Sequence, residues 1–203
     1  MESRTDPLPI AGAWKVVPGS FDDDRGSLHE LFHSGLFGAG TGMSWSVQQA
    51  ICSMSRRSVL RGIRVTTVDG PAKLVSCLRG EVLDVVVDLR LGSPTFSRFH
   101  IEHLNEDNRT ALYIAPGLGH AFLSLAERTT VLYLLSRPHR EGDEHPVHPL
   151  DPALAIPWPS DVMPMLSAKD TAAPTASHAR AAGLLPDYGE CLPLNGSGPA
   201  RAS

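Results

Sequence analysis

A chain of 203 residues is long enough for one well-filled core and short for two, because domains cluster at roughly 100–150 residues. Its 18 Lys and Arg against 22 Asp and Glu leave a net charge of −4, which removes any general attraction to nucleic acid or anionic membrane, so phosphate binding has to be local. The three cysteines, Cys52, Cys77 and Cys191, are odd in number, far apart and outside metal-ligand spacing, so they read as reduced thiols of a cytoplasmic protein rather than a disulfide frame.

The opening residues MESRTDPLPIAGAW lack the basic start and apolar run of a signal peptide, and no stretch approaches the ~18–20 apolar residues of a membrane span. From Trp45 to Arg137 the chain is a succession of short β-branched or alternating runs. These are Trp45 to Ser53, Val59 to Thr67, Lys73 to Leu78, Glu81 to Leu89, Phe96 to Leu104, Ala111 to Ala115, His120 to Leu125 and Thr130 to Leu135. Turn signals separate them: Asp69-Gly70-Pro71, Arg79-Gly80, Gly92-Ser93-Pro94, Asn105 to Asn108 and Pro116-Gly117. Regular spacing of this kind predicts an all-β sandwich or barrel. In EVLDVVVDLR, Leu83, Val85, Val87 and Leu89 fall on one strand face and Asp84 and Asp88 on the other, a segregation no helix would give.

Beyond Arg137 the segment HREGDEHPVHPLDPALAIPWPSDV is rich in proline and polar residues and reads as a surface passage that returns to the same fold. A short helix is expected within Ala172 to Leu185. One domain over residues 1–192 is expected, followed by a disordered tail over 193–203. Neither a GxGxxG turn before a helix, nor GxxxxGK[ST], nor GxSxG occurs, which argues against dinucleotide redox chemistry, nucleotide hydrolysis and serine hydrolysis.

In Val59-Leu60-Arg61-Gly62-Ile63-Arg64 two arginines three residues apart would point to opposite faces of a regular strand. A bulge at Gly62 would turn both to one side and make an anion pocket; an edge strand with solvated arginines is the plain alternative. His120 follows the glycine-rich turn Pro116 to Gly119 and is by itself more readily a turn or core residue than a functional one. Tyr133 within VLYLLS is a core tyrosine unless its phenol faces a pocket, Lys73 opens a strand, and Asp170 follows Ser167, a natural helix cap. No HxH pair, the spacing that would set two imidazoles on one strand face for a metal, occurs here, so no metal or other cofactor is expected.

These signals occur in the order of one family. Phe21 to Gly26 with Glu30, Val59 to Gly62, Lys73 to Val75, Gly80 to Arg90, Ser93 to Thr95, Pro116 to Phe122, Tyr133, Ile156 to Pro159, Leu166 to Asp170 and Ala181 to Pro186 with Tyr188 and Cys191 resemble the dTDP-4-dehydrorhamnose 3,5-epimerases, particularly those of antibiotic deoxysugar pathways, over about residues 8–192. The resemblance implies a cupin jelly-roll β-barrel with short peripheral helices, a homodimer without metal, and a small-molecule substrate. It also implies a histidine–aspartate base next to the substrate's keto group, a lysine for the enolate and a tyrosine that returns a proton from the opposite face. Carried over, Asp170 matches the aspartate, Lys73 the lysine and Tyr133 the tyrosine, while Arg64 stands where the catalytic histidine is expected. Arg25, Glu30, Arg61 and His120 match positions that contact the nucleotide or its phosphates, Gln48 or Gln49 a base-contacting glutamine, and Lys169 joins the substrate-binding candidates. Leu28, Ala50 and Pro138-His139 depart from the family pattern.

Arginine has a pKa above ~12 and no free lone pair, so Arg64 cannot inherit the base's task; it would pair with Asp170 or bind an anionic group of a ligand. Three functions are compatible with this set: a divergent dTDP-4-keto-6-deoxyhexose epimerase or isomerase with a rearranged acid–base set, a tailoring cyclase, dehydratase or isomerase for a non-nucleotide substrate, or a binding protein without turnover.

Overall fold

A computed structural model describes residues 3–191, and the expected tail over 193–203 lies outside the described residues. In chain order the elements are β1 (Arg4–Pro7), β2 (Ala13–Val17), β3 (Gly19–Asp23), β4 (Gly26–Glu30), α1 (Ser34–Thr41), β5 (Gln49–Ser55), β6 (Leu60–Thr66), β7 (Lys73–Arg79), β8 (Glu81–Val87), β9 (Phe99–Asn105), β10 (Ala111–Ile114), β11 (Gly119–Ser124), β12 (Thr129–Leu135), β13 (Glu144–Pro146), α2 (Ala168–Thr171), α3 (Ala176–Ala181) and α4 (Tyr188–Cys191). The chain is all-β with a few short helices. Every one of the eight expected strands is present, and α3 falls inside the stretch expected to be helical.

The strands form two large antiparallel sheets and one hairpin. The first sheet runs β1-β2-β10-β7-β12-β5, the second β13-β6-β11-β8-β9, and β3 pairs only with β4. Among the described residues no ladder joins the two large sheets into a single closed barrel. No helix among them is long and apolar enough to cross a membrane.

Between the sheets lies the main core, where Val75, Cys77, Leu112 and Val131 of the first sheet meet Val82, Val86, Leu104 and Phe122 of the second. Each is fully shielded from solvent. Burying one such side chain stabilises the fold by about 1.5–3 kcal/mol before chain entropy is counted. The second sheet is covered on its outer face as well: Ile63, Val65, Val85, Val87 and Ala121 pack against Val147, Leu154, Ala176, Ala179 and Leu185. The proline-rich passage after Arg137 therefore returns to the sheet as expected and acts as its second cover. The alternation expected of β8 is kept, yet both faces are largely covered, and Asp84 and Asp88 are both fully buried.

Each of those aspartates has to be compensated. Asp88, at the end of β8, accepts from Arg90 Nε (2.9 Å) and Nη2 (2.8 Å), from Ser93 Oγ (2.6 Å) and from Thr95 Oγ1 (2.7 Å). Burial alone would raise its carboxyl, but these donors outweigh it and hold the group below its ordinary 3.8. The turn Ser93-Pro94-Thr95 is thus tied to a buried ion pair, and Arg90 also stacks on Tyr188 at 4.8 Å.

A bulge in β6 sets where its side chains point. Gly119 pairs with Val65 and His120 with Arg64, then Phe122 pairs with Arg61, so Gly62 and Ile63 together oppose the single residue Ala121. Gly62 has φ +109°, and a Cβ there would lie 2.5 Å from the His120 carbonyl oxygen and 2.8 Å from the Ala121 Cα. Only glycine accommodates both the conformation and the approach. Gly62→Ala is expected to destabilise the protein by about 1–3 kcal/mol in denaturant titrations, because the neighbour it meets is backbone that cannot swing aside.

Candidate active site

The extra residue at the bulge leaves Arg61 and Arg64 lining the same cavity, of about 500 Å³, with Lys73 from β7, His120 from β11, Tyr133 from β12 and Asp170 from α2. All five residues expected to carry chemistry are therefore brought together, and Arg61 joins them. The other expected binding residues are placed elsewhere in the chain. Arg25 is bound to Asp23 at 2.5 Å on the exposed hairpin, Glu30 lines a separate groove beside Phe32 and His33, and Gln48 and Lys169 are exposed. Gln49 spends its Oε1 on the His139 backbone N–H at 2.8 Å.

Within the cavity wall every carboxylate faces a cation or an imidazole. Arg64 Nη2 lies 2.5 Å from Asp170 Oδ1, with the aspartate side chain only 5% exposed. Ser167 caps α2 by accepting from the Asp170 backbone N–H, and its hydroxyl donates to Asp170 Oδ2 at 2.7 Å, so the residue read as a helix cap also aims the carboxylate. Lys73 Nζ makes a close ion pair with Glu144 of β13. His120 Nε2 sits 3.0 and 2.9 Å from the two oxygens of Asp84. Arg61 differs from the other cations: its Nε donates to Ser55 Oγ at 3.1 Å, and no carboxylate among the described residues pairs with it. A guanidinium left without a carboxylate at a cavity wall is the natural receiver for a phosphate oxygen.

Asp84 and Glu144 are site residues that the motifs do not announce. Asp84 leaves one trace, an acid on a strand whose neighbours Val82 and Val86 point into the core. Glu144 leaves none, since its pairing with Lys73 joins residues far apart in sequence.

Tyr133 meets His120 edge-on, with ring centroids 5.9 Å apart at 79°. Burial, then the nearby Asp84 charge, push its phenol well above the ordinary range, so it remains protonated at neutral pH. For Glu144, burial would raise the carboxyl, but Lys73 outweighs it, with His139 and Arg64 adding, and the group titrates below its ordinary 4.5. A carboxyl depressed in the folded state contributes stability above its unfolded value and loses that contribution as pH falls through the folded one. Glu144→Gln should therefore lower Tm most at pH values above 4.5, with the gap to the parent closing in more acidic buffer.

The sequence profile described as dTDP-4-dehydrorhamnose 3,5-epimerase matches residues 7–178. A dTDP-4-dehydrorhamnose 3,5-epimerase of Streptomyces griseus is 45% identical over 187 residues, covering 92% of this chain and 93% of its own. Two solved structures superpose with a TM-score of 0.90. One is NovW, a 4-keto-6-deoxy sugar epimerase from the novobiocin biosynthetic gene cluster of Streptomyces spheroides, at 42% identity over 94% of this chain and 96% of that one. The other is ChmJ, a 3'-monoepimerase from Streptomyces bikiniensis in complex with dTDP-quinovose, at 44% identity over 93% and 96%. With identity of this level sustained from end to end of the relatives, the chain belongs to the dTDP-4-dehydrorhamnose 3,5-epimerase family.

Proposed function

We propose that the chain binds a dTDP-4-keto-6-deoxyhexose and transfers protons next to its keto group, as a divergent epimerase- or isomerase-like enzyme of natural-product deoxysugar biosynthesis that works without the family's histidine. One observation carries this reading: Lys73, His120, Tyr133 and Asp170 converge on a single cavity with Arg61, which no carboxylate among the described residues neutralises. A diphosphate would fall to Arg61. The Lys73 ammonium, held in place by Glu144, supplies positive charge where an enolate oxygen would develop, and preorganised charge of this kind is among the strongest catalytic effects an enzyme has. Tyr133 supplies the proton that returns to carbon.

Arg64 neutralises Asp170 instead of drawing protons through it. A tailoring enzyme for a non-nucleotide substrate and a protein without turnover both fit less well. The relatives act on nucleotide sugars by their descriptions, and a pocket kept only for binding has no need of a half-buried tyrosine beside a histidine–aspartate pair.

The two sheets and their shared core support the cupin jelly-roll architecture. The cysteines, all free with Cys77 and Cys191 buried, support a cytoplasmic location. We also propose a homodimer, since the cross-strand pair Phe21 and Leu28 is 62% and 67% exposed on the hairpin and β5 is an open sheet edge that presents Ile51 and Met54. Light scattering should give the mass of two chains; the mass of one would refute the dimer.

Two measurements decide the enzymatic reading. Millimolar dTDP should raise the melting temperature, because a ligand that binds only the folded state stabilises it. Solvent deuterium should enter a dTDP-4-keto-6-deoxyhexose at a carbon next to the carbonyl. Absence of both effects would sink the proposal.

A further inference from the structure

We infer that Arg64 is a second anion-binding residue of the cavity, separate from Arg61, and that it takes a carboxylate carried on the sugar portion of the ligand. The inference rests on the reading above for the nucleotide portion alone and goes beyond it for the sugar.

The cations of the cavity differ in how their donors are used. Lys73 donates to Glu144, His120 holds both oxygens of Asp84, and Arg61 donates to Ser55. Arg64 has the countercharge of Asp170 but not its alignment. Asp170 Oδ1, the oxygen 2.5 Å from Nη2, receives no hydrogen bond, and Arg64 Nη1 is buried without an acceptor among the described residues. The other oxygen, Oδ2, is occupied by Ser167. A buried charged donor left unmet costs more than a neutral one, so a ligand oxygen that completes the fork is favoured there.

Access to the fork comes from the cavity. The bulge at Gly62 brings Arg64 to its wall, and cross-strand pairing with His120 of β11 and Pro146 of β13 fixes the backbone from both sides. The arginine side chain is 22% exposed against 5% for Asp170, so an incoming group meets the cation first.

Charge selects the kind of anion. Arg61 has no carboxylate partner among the described residues, and a diphosphate suits it. Arg64 already has Asp170 against it, and Glu144 is near enough to feel its charge. A phosphate dianion there would meet two carboxylates, whereas a ligand carboxylate brings a single charge and two oxygens in one plane, the shape a planar guanidinium grips. The two arginines also reach different walls, Arg61 toward Ser55 of β5 and Arg64 toward Asp170 of α2. One ligand can therefore engage both with groups at separate points along its length.

Titration calorimetry of the full chain with dTDP-glucose and dTDP-glucuronate, which differ by a hydroxymethyl group against a carboxylate, tests this. The parent should bind the uronate about tenfold or more tightly, the worth of one charge-assisted hydrogen bond. Arg64→Gln should bring the ratio of affinities down to about one or lower, while Arg61→Gln weakens both ligands and leaves the ratio standing. Asp170→Asn should widen the ratio, because the guanidinium loses its countercharge; an arginine that serves only to hold Asp170 gives no such change. Equal binding of the two ligands by the parent, or tighter binding of the neutral sugar, overturns the inference. The parent's ratio needs no variant, so the test stands if Arg64→Gln does not fold. Binding of dTDP without preference for the carboxylate overturns this inference alone; failure of dTDP to bind removes the functional reading and the inference with it.

Discussion

The missing Cβ at Gly62 is the constraint on which the site depends. Because the β6 backbone there comes within side-chain distance of the His120 carbonyl and Ala121, two residues of β6 can oppose one of β11. A regular strand would send Arg61 and Arg64 to opposite sides of the sheet, one into the cavity and one into the apolar layer under Val147 and Leu154. With the bulge both guanidinium groups share the cavity, and Arg64 becomes the direct cross-strand neighbour of His120. Two chemically opposed residues, one that can never give up its proton and one suited to exchange it, are thereby placed side by side by a backbone feature.

Much of this was legible in the sequence for identifiable reasons. The eight central strands are marked by turn dipeptides and β-branched runs, and both survive folding because they are local. The bulge was legible too, since glycine between two arginines is the residue a bulge requires. Strands β1, β3 and β4 escaped notice because they are four or five residues long and carry Asp, Pro or Gly; their pairing is decided by neighbours rather than by their own pattern. The cavity residues were named by the order of short motifs. Their partners Asp84 and Glu144 were not, since an ion pair between β7 and β13, or a carboxylate turned inward from β8, is written in the topology and not in any window of sequence. Arg25, Glu30, Gln48 and Lys169 show the converse: a motif can place a residue in a family without placing it in the cavity of its own chain.

The Arg64–Asp170 pair shows how a buried carboxylate is accommodated at the cavity wall. An unpaired buried carboxylate would be costly, and an apolar residue opposite Asp170 would leave it so. A guanidinium instead provides the countercharge, and Ser167 keeps the carboxylate aimed as before. The pair puts a fixed charge at the cavity wall, beside the touching rings of His120 and Tyr133.

The buried corner at the end of β8 gives this tolerance a wider meaning. Asp88, Arg90, Ser93 and Thr95 form an ionic anchor as demanding as anything in the cavity, yet none of them lines it. Rigidity and reactivity are thus assigned to separate sets of charges with no member in common, and changes in sets that share no partners combine nearly additively. A substitution among the cavity charges, such as one at Arg64, can therefore leave the anchor intact, so that the chemistry of the pocket and the stability of the sandwich are separately adjustable.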